Sequence, residues 1–176
     1  MVETCACLKV QPSQETPSPA PRAKGRVIFD PAWCRTCKVC EVACSIHKEG
    51  QARPAVARIH IMYDEFKTIN PISGVLCAQC ADAPCIEACR VGAMTRDART
   101  GAVLILEEKC VGCMRCAKAC PWQIPQKHPD RRKAIKCDLC FDRPEGPLCV
   151  EMCPLSGKAL RYDPEYYGRG EGDVRG

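Results

Sequence analysis

Apolar positions fall in short bursts along the chain, not in long periodic stretches. Arg26–Phe29 (RVIF), Ala57–Tyr63 (ARIHIMY) and Ala102–Leu106 (AVLIL) are rich in β-branched and aliphatic residues and predict strands. Thr100 and Gly101 follow Asp97 in the manner of a turn, so Ala93–Arg96, that turn and Val103–Leu106 are expected to form one β-hairpin. The tripeptides VAC, EAC, KAC and EMC, ending at Cys44, Cys89, Cys120 and Cys153, predict short helical turns at most. No segment approaches the roughly 18 uninterrupted apolar residues of a membrane span. Toward both ends the pattern fades. Residues 1–25 hold Pro12, Pro17, Pro19 and Pro21 among Ser, Thr, Gln and Glu, and read as an extended, weakly structured arm. Residues 164–176 end in GRGEGDVRG and read as a tail, leaving residues 26–163 as the folded domain.

Composition sharpens the problem these few elements pose. The 176 residues are 46% hydrophobic only because 18 cysteines are counted; without them the share is about 36%. A core this thin needs disulfides, metals or a partner. Dense cysteine is typical of small secreted disulfide scaffolds. Yet the first 25 residues show neither a basic start followed by an apolar run nor a twin-arginine stretch, so a cytoplasmic location is expected. In that compartment the thiols are expected to bind metal.

Sixteen of the cysteines fall in four sets of four: Cys34, Cys37, Cys40 and Cys44; Cys77, Cys80, Cys85 and Cys89; Cys110, Cys113, Cys116 and Cys120; Cys137, Cys140, Cys149 and Cys153. The first and third sets read C-x2-C-x2-C-x3-C, and the others lengthen the middle gap, so the pattern is an internal repeat. Four thiolates hold either one zinc ion or an iron–sulfur cluster. Structural zinc takes two separated C-x2-C pairs, each wrapping one edge of a tetrahedron. Three thiolates at successive gaps of two suit three corners of a cubane better. Cys110–Pro121 matches the proline-terminated bacterial ferredoxin run at every position, and in that run the fourth cysteine ligates the other cluster of a pair.

The stretches CRTCKVCEVACSIHKEG, CAQCADAPCIEACRVGAM, CVGCMRCAKACPWQIP and KCDLCFDRPEGPLCVEMCP resemble the four-cluster ferredoxin-like electron-transfer subunits of molybdenum and tungsten enzymes, carbon monoxide dehydrogenase and certain hydrogenase and formate dehydrogenase assemblies. Within that family the sequence is most similar to the small iron–sulfur subunit of tungsten aldehyde oxidoreductases. The resemblance implies an irregular α+β fold of two fused, interleaved bacterial-ferredoxin-like modules, with short hairpins and helices organised around four [4Fe–4S] clusters. It also implies a nested pairing: Cys34, Cys37, Cys40 and Cys153 for cluster 1; Cys137, Cys140, Cys149 and Cys44 for cluster 2; Cys77, Cys80, Cys85 and Cys120 for cluster 3; Cys110, Cys113, Cys116 and Cys89 for cluster 4. The spacing alone equally permits sequential pairing. The implied partners are a catalytic oxidoreductase subunit and a flavin-containing or other electron-accepting subunit. Ser45 and Arg90 depart from the proline that follows the ligand in the other two sets, leaving the local chain direction open.

Charge changes meaning once clusters are included. The formal value is +5 with cysteines neutral; sixteen thiolates and four oxidised cores of charge +2 bring it to about −3. Lys and Arg near the motifs then read as local compensation, and nucleic acid is not an expected partner. Lys127–Lys133 (KHPDRRK) reads as a solvated loop, with docking to a partner as the alternative. Trp33 and Trp122 flank ligand positions and suit either shielding of a cluster or ordinary packing. Since cysteine fills every corner, His47, His60 and His128 are not expected to ligate; Cys5 and Cys7 read as free thiols of the arm, with a metal site formed with another chain as the alternative. No Gly-rich phosphate loop, nucleophile–base pairing or open metal position is encoded, so a non-catalytic electron relay is expected. The competing functions are a free polyferredoxin shuttle and a zinc-rich interaction protein. Self-association of successive copies would extend a relay, but no sequence feature requires it.

Overall fold

Strand β1 (Arg26–Phe29) forms where RVIF predicts it, but its partner comes from the far end of the sequence. It pairs antiparallel with β8 (Leu160–Asp163), Val27 opposite Tyr162 and Phe29 opposite Leu160. This computed structural model describes residues 24–169, so Cys5, Cys7 and nearly all of the proposed arm, with part of the tail, lie outside the described residues. The other strands pair in sequence order: β2 (His60–Tyr63) with β3 (Ile72–Val75), β4 (Met94–Arg96) with β5 (Val103–Ile105), and β6 (Gln126–Lys127) with β7 (Ala134–Ile135), all antiparallel. Short helices and these antiparallel strand pairs make a small α+β fold, compatible with a ferredoxin-like one.

The β4–β5 hairpin forms through the turn residues that predict it. Thr100 donates from both its N–H and its hydroxyl to the Asp97 carboxylate at 2.7 Å, and the hydroxyl bond, then the N–H bond, holds that carboxyl below the usual range. The expected strand over Ala57–Tyr63 is shorter, starting only at His60. Pro54 opens a 3-10 turn, Pro54–Val56, that holds the Ala57 N–H. The Ala57 carbonyl accepts from the Gln126 amide at 2.6 Å, and the Arg58 N–H donates to Cys44 Sγ at 3.3 Å. Residues 57 and 58 therefore direct these backbone groups away from a sheet ladder.

Helices α2 (Pro84–Glu87), α3 (Arg115–Ala119) and α4 (Leu148–Glu151) are the single turns expected. Helix α1 (Val39–Glu49) is a correction: it runs 11 residues, about three turns. The cause is Ser45. Proline follows Cys120 and Cys153, and α3 and α4 stop just before those cysteines. Ser45 is fully buried, donates to the Val42 carbonyl at 2.9 Å and accepts the Arg53 N–H at 3.0 Å, so α1 continues to a left-handed Gly50. Ser45→Pro is expected to cost about 3 kcal/mol or more, since proline removes a helix N–H and clashes with the preceding turn. Anaerobic urea unfolding followed by circular dichroism checks this, and an unchanged midpoint contradicts it.

The elements pack in a nested order. From the two ends of the sequence, β1 meets β8 and α1 meets α4; from its middle, α2 meets α3 and β4 meets β5. Two groups of buried side chains follow much of this division, although Ala102 and Leu104, from the middle of the sequence, join the first. One joins Val27, Ile59, Ile61, Leu139 and Leu160 to Cys40, Cys44 and Cys149; the other joins Met94, Val103 and Ala134 to Cys110 and Cys116. In both, sulfur stands where a larger protein would place aliphatic bulk.

The KHPDRRK stretch is more than a solvated loop. It is the turn between β6 and β7, with the His128 N–H bonded to the Lys133 carbonyl at 2.9 Å. His128 is buried, and its Nδ1 accepts the Asp130 and Arg131 N–H groups at 3.1 Å. Arg131 bridges Glu49 and Glu107, Asp130 pairs with Arg53, and Lys133 donates to the Cys110 carbonyl at 2.8 Å. The turn thus fastens the end of α1 to the third cysteine set.

Candidate functional site

The four cysteine loops share one backbone plan. The residue before the second cysteine is left-handed in every set: Thr36, Gln79, Gly112 and Leu139, with φ of 53°, 54°, 66° and 59°. The residue two before the third cysteine is left-handed in three sets, Lys38, Ala83 and Met114, and each of these begins a helix. In the fourth set that position is Pro147, whose ring fixes φ at −65°, and Cys140 itself turns left-handed instead. In all four sets the third cysteine is then the second residue of its helix. Seven of the nine left-handed non-glycine residues described lie in these loops. Only Gly112 is free of the steric cost, and a Cβ there would stand 2.6 Å from the Arg132 carbonyl oxygen.

Reversing the backbone twice in so few residues turns the thiols inward around shared spaces. Cys34, Cys37, Cys40 and Cys153 line one cavity of about 330 Å³, together with Trp33, Lys38 and Ile61. Cys77, Cys80, Cys85 and Cys120 line a second, with Gln79, Trp122 and Lys136. Cys44, Cys137, Cys140 and Cys149 line a third, with Lys48, Arg58 and, on its edge, Cys77. Cys110 and Cys116 are buried in the second core, where Cys85 and Cys89 pack against them; Cys113, from the same loop, is exposed. In the first three groups four thiols line a shared space. Among the described residues no three Cys, His, Asp or Glu side chains are placed to hold a single ion.

Neighbouring groups lie within reach of one another's charge through particular thiols. Cys149 of the third cavity feels the charge of Cys40 from the first, and Cys137 that of Cys77 from the second. Cys85 in turn packs on the core that holds Cys110 and Cys116. The groups therefore follow one another in a line. Of the sixteen described cysteines only Cys37 and Cys113 are exposed, and they belong to the two ends of that line.

Burial governs thiol ionisation. It pushes Cys40 up to about 12, with the Glu41 carboxylate adding to the effect. Cys85 rises to about 11, chiefly by burial, while the Lys136 ammonium pulls the other way. Burial likewise raises Cys44, Cys80, Cys116, Cys137, Cys140 and Cys149. Such groups give up their protons only to a compensating positive core, which is what a metal cluster supplies. Backbone donors already point at sulfur: Thr36 N–H to Cys34 at 3.4 Å, Arg58 N–H to Cys44 at 3.3 Å and Ala134 N–H to Cys110 at 3.4 Å. Thiol donors around enclosed spaces, with N–H groups aimed at sulfur, fit a [4Fe–4S] core.

The remaining candidates have defined places. Trp33 and Trp122 line cavities but are 43% and 47% exposed, so neither closes its site, and Lys158 sits 4.4 Å over the Trp33 ring. His47 lies 3.1 Å from Asp142, His60 Nε2 2.9 Å from the Gln126 amide, and His128 3.5 Å from Glu49. Sequence reasoning missed Gln79, Lys136, Lys48 and Arg58. Gln79 is wholly buried, donating to the Cys137 carbonyl at 2.9 Å and accepting the Val103 N–H at 2.8 Å, so it ties the second and fourth loops together. The one signal in the sequence was the position of Gln79 and Lys136 beside cysteines.

Comparison with known proteins points to the same cluster chemistry. The 4Fe-4S dicluster domain matches residues 71–162. The polyferredoxin-like subunit of aliphatic sulfonate oxidoreductase from Pyrococcus furiosus is 38% identical over 131 residues, 74% of this chain and 72% of that one. Putative electron transport protein YsaA of Escherichia coli is 40% identical over 144 residues, 77% and 87% of the two proteins. The B subunit of anaerobic dimethyl sulfoxide reductase from Haemophilus influenzae is 34% identical over 151 residues, 77% and 72%. On its motifs, its fold and these relatives, this protein belongs to the 4Fe-4S dicluster family of ferredoxin-like proteins.

Proposed function

We propose that this protein is a non-catalytic electron-transfer subunit in which four [4Fe–4S] clusters pass single electrons between a catalytic oxidoreductase subunit and an electron-accepting partner. Cluster 1 is held by Cys34, Cys37, Cys40 and Cys153, cluster 2 by Cys44, Cys137, Cys140 and Cys149, cluster 3 by Cys77, Cys80, Cys85 and Cys120, and cluster 4 by Cys89, Cys110, Cys113 and Cys116. The observation that carries this reading is the line of four thiol groups with one exposed cysteine at each end. Burial of inner thiols and exposure at the termini suit a wire with two ports. Each transfer oxidises one cluster by one electron and reduces its neighbour by one, with no proton or group moved.

The matched family segment contains all eight ligands of clusters 3 and 4 but none of Cys34, Cys37, Cys40 and Cys44. Clusters 1 and 2 therefore depend on a second module built from the two ends of the sequence. Its support is the packing of β1 on β8 and α1 on α4 around their own core. The relatives named as subunits of oxidoreductases favour a catalytic partner, and the motif likeness makes a tungsten aldehyde oxidoreductase the specific one proposed, with a flavin-containing subunit as acceptor. An apolar projection also suits docking, since the β2–β3 hairpin holds Met62, Tyr63, Phe66 and Ile69 outward at 56%, 63%, 88% and 80% exposure.

Anaerobic isolation from the native host tests this. A large complex containing tungsten is the expected result. A small brown monomer would make the protein a free shuttle, nickel would move it to carbon monoxide dehydrogenase or hydrogenase, and molybdenum to a formate dehydrogenase-type assembly. A colourless zinc protein without acid-labile sulfide would overturn the reading altogether.

A further inference from the structure

Lys136 is the least expected group near the thiols. Only 4% of it is exposed, and it lines the same cavity as Cys77, Cys80, Cys85 and Cys120. Its ammonium donates to the carbonyl oxygens of Val103 and of Cys137, the latter at 2.7 Å. Neither acceptor carries a charge. A buried ammonium with carbonyl partners alone is costly unless an anion lies against it.

Other cations near the thiols differ in one respect or another. Lys48 and Arg58 line the cavity of cluster 2, but Lys48 is paired with Asp138 and Asp142, each at 2.9 Å, and Arg58 with Glu49 at 3.3 Å. Lys38, beside cluster 1, is paired with Glu41 at 2.8 Å. Lys133, beside cluster 4, bonds to carbonyls but is only partly buried, so solvent screens it. Arg96 belongs with Lys136: it donates to the Cys80 and Ala81 carbonyls at 2.6 and 2.7 Å and to the Gly101 carbonyl at 3.2 Å. Asp82 is an acidic group near this site whose charge acts on both Cys80 and Arg96 without a hydrogen bond to either cation, so Lys136 is the stronger of the two. Cluster 3 thus has two close cations whose hydrogen bonds all go to carbonyls, one of them deeply buried.

We infer that Lys136 sets the reduction potential of cluster 3, making it the first of the four clusters to accept an electron. Reduction adds one negative charge to a cluster already anionic with its thiolates, and a fixed positive charge in a low-dielectric cavity favours that step more than the paired cations elsewhere do. The electron comes from the cluster's redox partner and no bond or proton is exchanged. An interior cluster of high potential would hold an electron between the two ends, so the relay would have a storage point inside it.

This inference rests on the four-cluster reading, and iron counted on the same samples separates the two. The experiment is an anaerobic redox titration of the intact holoprotein followed by electron paramagnetic resonance. In Lys136→Gln, which keeps a donor for the carbonyls, the reduced-to-oxidised ratio of one cluster at fixed potential is expected to fall at least tenfold, equivalent to about 59 mV for a one-electron couple. Lys136→Arg is expected to stay near the parent, and Arg96→Gln to lower the same cluster. Cys120→Ser is expected to alter the highest-potential signal of the parent, a measurement that leaves position 136 untouched. Full iron with unmoved potentials in Lys136→Gln, an equal shift of all clusters, or a Cys120→Ser change confined to a lower-potential signal overturns the inference. Iron near half the expected content, or zinc instead, defeats the four-cluster reading instead.

Discussion

Complete removal of iron by an anaerobic chelator is expected to abolish the native circular dichroism of the protein and its cooperative unfolding transition. The side chains explain why. The largest fully buried ones are Ile61, Ile135, Leu160, Gln79, Val56, Val103 and Ser45, so two of seven are polar and none is aromatic. Seven left-handed non-glycine residues in the cysteine loops carry strain of about 1–3 kcal/mol each. Together they rival the about 5–15 kcal/mol net stability of an ordinary domain. With clusters in place, that strain is offset by metal–sulfur bonds; without them the loops lose what holds them turned and Lys136 loses the anion beside it. Full loss of iron with an unchanged spectrum would show that the polypeptide holds its own fold.

Serine in place of Cys120 is expected to damage the cluster shared with Cys85 and to spare the one shared with Cys116, although Cys116 is its neighbour in sequence. Cys120 ends the third motif, yet it lines the cavity of Cys77, Cys80 and Cys85. The backbone accounts for the crossing. Helix α3 ends at Ala119, Cys120 turns extended at φ −80° and ψ 123°, and Pro121 prevents the helix from resuming. Paramagnetic resonance of Cys120→Ser, Cys85→Ser and Cys116→Ser holoproteins checks it. The first two should perturb one and the same signal, the third a different one. A signal shared by the Cys120 and Cys116 variants would establish sequential pairing.

The chemistry was legible because cysteine spacing is a local code, and the β4–β5 hairpin because Asp97, Thr100 and Gly101 carry their turn with them. What the sequence could not display was set by distant partners. β1 is visible as RVIF, but its pairing with β8 crosses almost the whole sequence and nothing in either segment names the other. α1 outruns its expectation where a buried serine bonds both its own turn and the distant Arg53 N–H, and the strand over Ala57–Tyr63 is shortened because a glutamine and a thiol take its backbone groups. Lys136 looks like any lysine next to a ligand. Only the fold, by closing Val103 and Cys137 over it, turns it into a buried charge.

We propose four clusters in this protein, where the matched family segment is a dicluster domain. Iron and acid-labile sulfide measured on anaerobically purified full-length protein test it most directly. About sixteen of each per polypeptide are expected. About eight of each, with the thiols of Cys34, Cys37, Cys40 and Cys44 free to alkylation, would contradict it.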